Sequence, residues 1–131
     1  MKYFLCTFDT VYMGISAERT ERIISVSRKQ SVVCENETQE TFISLPLLFG
    51  RADLPAPHGI VLKRADKEKQ TTLLVPSLDI DLEIPEKEIY AIPRAFGGNL
   101  RYFGGACFIN RGNRERLIFT LDLEKLLKDF F

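Results

Sequence analysis

Residues 71–93 have the sequence TTLLVPSLDIDLEIPEKEIYAIP, and this stretch decides the fold. Between positions 78 and 84, leucine or isoleucine alternates with aspartate or glutamate. Successive side chains of a strand point to opposite faces, so the alternation predicts a strand with one buried and one solvated face. Pro76 and Pro85 bracket it, because proline lacks the N–H that a sheet interior needs. The apolar run at 71–75 predicts a more fully buried strand. PEKE predicts a turn or a single helical turn, and IYAIP predicts a short extended return.

Most of the remaining chain consists of short apolar or β-branched segments separated by turn residues. These segments predict further strands at residues 2–8, 11–15, 23–27, 41–45, 59–63, 100–109 and 117–121. Gly104 and Gly105 predict a sharp bend or bulge within the strand that contains them. Ser16 is predicted to cap a short helix. Residues 46–50 are predicted to form a helical turn closed by Gly50, ahead of a proline-rich loop at 51–58.

One segment near the C-terminus has the pattern of an amphipathic helix. Asp122 can cap it, and apolar side chains follow at helical spacing, namely Leu123, Leu126, Leu127 and Phe130. Glu124, Lys125 and Lys128 would then face solvent. About ten short strands with one convincing helix predict a mainly β fold of small antiparallel barrels.

Composition restricts the function classes. With 131 residues, the chain is predicted to form a single domain, with room for two small halves. Its 18 basic and 18 acidic residues give no net charge, which disfavours a nucleic-acid partner. Cys6, Cys34 and Cys107 are widely spaced and odd in number, which predicts free, buried thiols in a reducing cytoplasm. We see neither a signal peptide nor a membrane span, so a cytoplasmic location is expected.

Candidate catalytic groups are sparse. His58 is the only histidine, and nothing in the spacing sets a thiol and an orienting carboxylate beside it. Asp79, Asp81 and Glu83 are expected to form the wet side of a strand rather than a metal cluster. The sequence therefore predicts no enzyme activity, no cofactor and no metal site. Arginines interleaved with aromatic residues at 94–116 leave a single-stranded nucleic-acid barrel as an alternative.

Three segments, in this order, resemble the CheW-like domain family of bacterial chemotaxis. Residues 43–50 with 59–62 are similar to the family's "iPvvDLr..lG" loop and the strand after it. Residues 73–93 resemble its "LLVDSV..V..I....I...P" stretch, and residues 103–127 resemble its "Y..G...L..R.L.LLDLEKLL" ending. The opening segment KYFLCTFDTVYMGI resembles the family's first hairpin, but more weakly than these three segments resemble their counterparts.

The resemblance implies a fold of two intertwined five-stranded β-barrels with a short C-terminal helix. It also implies a non-catalytic adaptor that couples chemoreceptor tips to the regulatory domain of a CheA-type histidine kinase. A degenerate module of this fold with another partner is the alternative. The family's "V.EI" position falls on Glu21 or Arg22.

This sequence departs from the family pattern in its first half. No Arg-Gly pair stands between Ile24 and Phe42. That interval is shortened and contains CENETQE (34–40) in its place, and Pro76 replaces an acidic residue. We therefore expect a weak partner interface. Its candidate contacts are Glu21, Arg22, Leu47, Leu48 and Phe49, the last three forming an apolar turn that could dock a partner.

Overall fold

The structure, a computed structural model, describes residues 2–8, 11–26, 33–35, 40–51, 53–63, 70–79, 81–91, 102–111 and 114–130. Its strands, in chain order, are β1 (Lys2–Phe8), β2 (Val11–Ser16), β3 (Thr20–Ser25), β4 (Val33–Glu35), β5 (Glu40–Ser44), β6 (His58–Leu62), β7 (Gln70–Val75), β8 (Asp81–Glu83), β9 (Tyr90–Ala91), β10 (Phe103–Arg111) and β11 (Arg114–Leu121). Its helices are α1 (Leu45–Leu48), a 3-10 turn (Glu86–Glu88) and α2 (Leu123–Phe130). Two compact units divide the chain: Glu18–Leu78 forms one, and the flanking segments Met1–Ala17 and Asp79–Phe131 form the other.

The unit built from both chain ends, here called the terminal unit, contains a six-stranded sheet. The strand order is β8-β1-β2-β11-β10-β9. All neighbours run antiparallel except β2 and β11, which are parallel and pair Met13 with Phe119. The sheet therefore joins the first hairpin of the chain to the last one.

The terminal sheet must curve, because a short segment connects its two outermost strands. A flat sheet of six strands would place β8 and β9 about 24 Å apart, at roughly 4.8 Å per strand. The segment from Glu83 to Tyr90 includes the 3-10 turn, so its reach is only about 20 Å. The sheet thus rolls towards a barrel, and its inward side chains form one core of Tyr3, Leu5, Ile84, Cys107 and Ile118.

The inserted unit, residues 18–78, contains a five-stranded sheet in the order β3-β6-β7-β5-β4. Its one parallel pair is β5 with β7, while the other pairs are antiparallel. Strands β6 and β7 are central, and five successive residues of β7, from Thr71 to Val75, are buried. The prediction of a fully buried strand at 71–75 is therefore confirmed.

The predicted fold class is confirmed: the protein is mainly β, with two sheets and a short C-terminal helix. The helix begins as expected, since the amide of Lys125 donates a hydrogen bond to Oδ1 of Asp122 at 3.1 Å. Leu123 and Leu126 are buried, Leu127 is half-buried, and the charged side chains Glu124, Lys125 and Lys128 are exposed. The side chain of Phe130 lies outside the described part of the structure.

Two local predictions were wrong. Ser16 does not start a helix: it ends β2, a turn follows, and the amide of Ala17 donates to the carbonyl of Lys2 at 2.9 Å. The alternating strand at 78–84 is reduced to the three residues of β8, which pair with Lys2–Phe4 of β1. Asp79 adds one further hydrogen bond, from its amide to the carbonyl of Leu5 at 2.8 Å. Ile80 lies outside the described residues.

Glycine positions agree with the sequence analysis. The register between β10 and β11 shifts between Phe103 and Gly105, which places the expected irregularity at Gly104. Gly50 has a φ of 76°, the left-handed conformation that commonly ends a helix. Both glycines therefore stand where the backbone departs from regular geometry.

Candidate partner-binding surface

Glu21 and Arg22 lie on β3, an outermost strand of the inserted sheet. Thr20 pairs with Leu62 and Arg22 with Val61, so β3 holds one extra residue, Glu21, at this point. Such a bulge re-aims side chains that would otherwise alternate between faces. Accordingly, three successive side chains, Glu21 to Ile23, are all exposed.

The two charged residues of the bulge form an ion pair at the edge of the sheet. Nη1 of Arg22 lies 4.0 Å from Oε1 of Glu21, and the two side chains are 55% and 49% exposed. An exposed pair at this distance contributes little to stability. The guanidinium therefore remains open to solvent and can still contact a partner carboxylate.

The apolar turn at α1 is anchored by its first residues. Leu45 and Pro46 are buried, and the side chain of Ser44 caps the turn by accepting a hydrogen bond from the amide of Leu47 at 3.5 Å. The carbonyl of Pro46 accepts one from the amide of Arg51 at 2.7 Å. Pro at the helix start and Gly50 after its end explain why the turn is so short.

Leu47, Leu48 and Phe49 are each half-buried rather than fully exposed. Part of each apolar side chain is already covered by the protein. The remaining part of each side chain is apolar surface open to solvent. Such a surface can still supply a hydrophobic contact.

These two groups of predicted contacts belong to the same unit but do not adjoin. Strands β6 and β7 lie between β3 and β5, the strand that leads into α1. At about 4.8 Å per strand, β3 and β5 are roughly 14 Å apart along the sheet. A partner that uses both groups must therefore contact elements that β6 and β7 separate in the strand order.

The described side chains that could act in catalysis or bind a metal are dispersed. His58 begins β6, opposite Ser25 and Val75, and is half-buried. Within the described residues, no three His, Cys, Asp or Glu side chains come together as metal ligands would. No helix in this described part is long and apolar enough to cross a membrane.

Two of the three cysteines are buried free thiols, as expected. Burial, with a smaller contribution from the Asp79 carboxylate, raises the pKa of Cys6 to about 12. Burial also raises the pKa of Cys107, and the nearby Glu88 carboxylate raises it further. Both thiols therefore remain protonated and unreactive near neutral pH. The side chain of Cys34 is outside the described structure.

The sequence analysis missed an exposed apolar row on the terminal sheet. Tyr90 is 68% exposed, Phe108 58% and Leu117 38%. Phe108 lies directly opposite Leu117, and Tyr90 lies opposite Ala106, two residues from Phe108 on the same strand. The alternation of β10 could not reveal this face, because apolar residues occupy both faces of the strand.

Comparison with known proteins identifies similar solved structures but no related sequence. No protein-family model matches the sequence, and no curated protein matches it. Among solved structures, the scaffolding protein TtCheW from Thermoanaerobacter tengcongensis superposes with a TM-score of 0.71 at 13% sequence identity. The alignment covers 93% of this chain and 84% of that one. The chain therefore has a CheW-like fold.

Proposed function

We propose that this chain is a non-catalytic scaffold of the CheW type, which binds other proteins in a chemotaxis assembly. The observation that carries the proposal is the likeness to TtCheW over nearly the whole chain, together with the sequence resemblance at residues 43–50, 73–93 and 103–127. The titratable groups of the described residues are dispersed, which is consistent with a role that requires no catalysis.

Such a scaffold acts by mass action and geometry. A protein that binds one partner on each of two surfaces raises their effective concentration for one another and holds them in one orientation. Here the partners would be the cytoplasmic tips of chemoreceptors and the regulatory domain of a CheA-type kinase, so the protein would work in the cytoplasm as a single CheW-like domain.

The partner surface of this proposal is the exposed β3 bulge together with the apolar turn at α1. Arg22 supplies a cation that is 55% exposed, and Leu47 to Phe49 supply apolar area on a rigid element. Arginine can make two parallel hydrogen bonds to one carboxylate, and it is frequent among energetically dominant interface residues.

One specific observation favours a second candidate, a CheW-like module with a different partner. The interval between Ile24 and Phe42 lacks the Arg-Gly pair of the family, and the identity to TtCheW is only 13%. Loss of an interface arginine can cost about 2 kcal/mol, which corresponds to more than a tenfold loss of affinity. Binding to the usual partners would then be weak or absent.

The deciding experiment is a pair of titrations. Labelled protein is titrated with a CheA regulatory domain and, separately, with a chemoreceptor tip, both from the same organism. We expect dissociation constants in the micromolar range or weaker, raised at least about fivefold by Arg22→Ala. Lys128→Ala, which removes an exposed cation on α2, should leave them unchanged. Binding to neither partner would contradict the adaptor and support the second candidate. Submicromolar binding to both would show that the missing segment is dispensable.

A further inference from the structure

A cavity of about 370 Å³ is lined by residues of the terminal unit. Five of the six strands or their flanking residues contribute to it, through Leu5, Tyr12, Asp79, Leu82, Ile109, Arg116 and Ile118. Small-molecule sites typically measure about 300–1,000 Å³, are mainly apolar with a few polar groups, and often occupy the mouths of β-barrels. The size of the cavity and its lining, five apolar or aromatic side chains with two charged ones, agree with such a site.

Arg116 supplies the first polar group of the cavity. Its guanidinium carbon lies 4.7 Å from the centre of the Tyr12 ring, which is the arrangement of a cation–π contact. This contact holds the side chain in place without using its N–H donors. Among the described residues, no carboxylate pairs with Arg116. The guanidinium can therefore receive a carboxylate through two parallel hydrogen bonds.

Asp79 supplies the second polar group, of opposite charge. Its backbone is fixed by the hydrogen bond to the carbonyl of Leu5, while its side chain is exposed. Although Asp79 and Arg116 line the same cavity, they form no ion pair with each other. The other lining residues are Tyr12 and the leucine and isoleucine side chains of Leu5, Leu82, Ile109 and Ile118.

We propose that this cavity binds a small zwitterion with an apolar side chain, that is, an apolar α-amino acid. Arg116 would bind its carboxylate, Asp79 its ammonium group, and the leucine and isoleucine wall its side chain. A simple carboxylate would be repelled by Asp79, and a simple amine by Arg116. All lining residues belong to the terminal unit, whereas the proposed partner contacts belong to the inserted unit.

In the test, five small-molecule probes are titrated one at a time into the purified chain. Binding of each probe is monitored by NMR chemical-shift perturbation. L-Phenylalanine and L-leucine each carry a carboxylate, an ammonium group and an apolar side chain. Glycine lacks the apolar side chain, 3-phenylpropionate lacks the ammonium group, and phenethylamine lacks the carboxylate. We expect L-phenylalanine and L-leucine to bind at least about tenfold more tightly than the other three, since each of those loses one charged or apolar contact. Shifts should concentrate at the lining residues. No saturable shift with either L-amino acid at 10 mM, a generous upper limit for such sites, would overturn the proposal.

Two variants separate recognition from folding. Arg116→Gln should weaken L-phenylalanine binding about tenfold or more. Asp79→Asn should weaken L-phenylalanine but strengthen 3-phenylpropionate, because the repulsion of its carboxylate is removed. A change of opposite sign for two ligands cannot arise from loss of folding. Lys63→Ala removes an exposed cation of the inserted unit and serves as the control. If Asp79→Asn weakened both ligands or neither, the proposed recognition would be wrong.

Discussion

Gly105 of β10 lies so close to Ile89 that a Cβ at this position would overlap with Cγ2 of Ile89. The same Cβ would also lie 3.1 Å from the carbonyl oxygen of Tyr90. Ile89 belongs to the segment that connects the two outermost strands of the terminal sheet, and it packs against the core of that unit. Glycine therefore permits the close approach of β9 to β10 that the rolled sheet requires.

Gly105→Ala should consequently destabilise the protein. The added methyl group meets a stiff β-branched side chain and a backbone carbonyl, and overpacking of this kind costs about 1–3 kcal/mol. Urea unfolding followed by circular dichroism measures the change. Gly104→Ala is the matched control, because a Cβ there meets only Asp122 at 3.4 Å. Equal stability of the two variants would contradict the proposed role of Gly105.

The cap of α2 gives a second prediction. Asp122→Ala removes the acceptor for the amide of Lys125 and should cost about 0.5–2 kcal/mol of unfolding free energy. Asp122→Asn should retain most of that free energy, since asparagine caps about as well as aspartate. Thermal unfolding of the three proteins in parallel distinguishes a lost cap from a lost charge: if the asparagine variant were as unstable as the alanine variant, the charge would be responsible.

A substitution at Leu126 tests whether the apolar side of the same helix is buried. Its side chain is fully buried, so Leu126→Ala should destabilise by roughly 2–4 kcal/mol through lost transfer free energy and the cavity left behind. Lys125→Ala, next to it on the exposed face, should change the unfolding free energy by less than about 0.5 kcal/mol. A loss below about 1 kcal/mol for Leu126→Ala would mean that the helix is not packed as described.

The thiol of Cys6 predicts a dependence of stability on pH. Its pKa rises on folding from 9.0 to about 12, so between these values the unfolded chain loses a proton that the folded chain keeps. Unfolding free energy therefore falls as pH rises above 9, by at most about 1.4 kcal/mol per pH unit for this group. Below pH 9 both states hold the proton, and Cys6 contributes no pH dependence.

Comparison with Cys6→Ala isolates this contribution from other groups that titrate at high pH. The variant should be less stable than the wild type at pH 7, because a buried group is removed, but its stability should fall less steeply between pH 9 and pH 11. Denaturant midpoints measured at several pH values provide the slopes. Identical slopes for the two proteins would show that Cys6 ionises as readily in the folded state as in the unfolded one.

The proposed partner surface supplies a last prediction. If the chain binds a CheA regulatory domain or a receptor tip, Arg22→Ala should lower the affinity by at least about fivefold, because an exposed arginine at an interface commonly contributes 1 kcal/mol or more. Leu48→Ala tests the apolar turn in the same way. Circular dichroism should show both variants folded. Unchanged affinity for both would place the interface elsewhere on the protein.

The sequence by itself determined those features that depend on neighbours in the chain. The buried run at 71–75, the cap at Asp122, the leucine stripe of α2 and the left-handed Gly50 were all predictable, because each follows from local patterning or from the conformational needs of one residue. The prediction of a helix start from local sequence was wrong at Ser16. A capping residue followed by glutamates favours a helix start, but the hydrogen bond from Ala17 to the carbonyl of Lys2 keeps the chain in the sheet.

Only the tertiary structure decided which strands meet and which faces remain exposed. The parallel pairing of β2 with β11 joins residues more than a hundred positions apart, and no local pattern encodes such a partner. Phe108 and Cys107 are both apolar, so alternation could not show that one is exposed and the other buried. Likewise, Arg116 meets Tyr12 only because the sheet places β11 beside β2. The physical reason is common to all three: the free energy of each arrangement comes from contacts between segments that are distant in the chain.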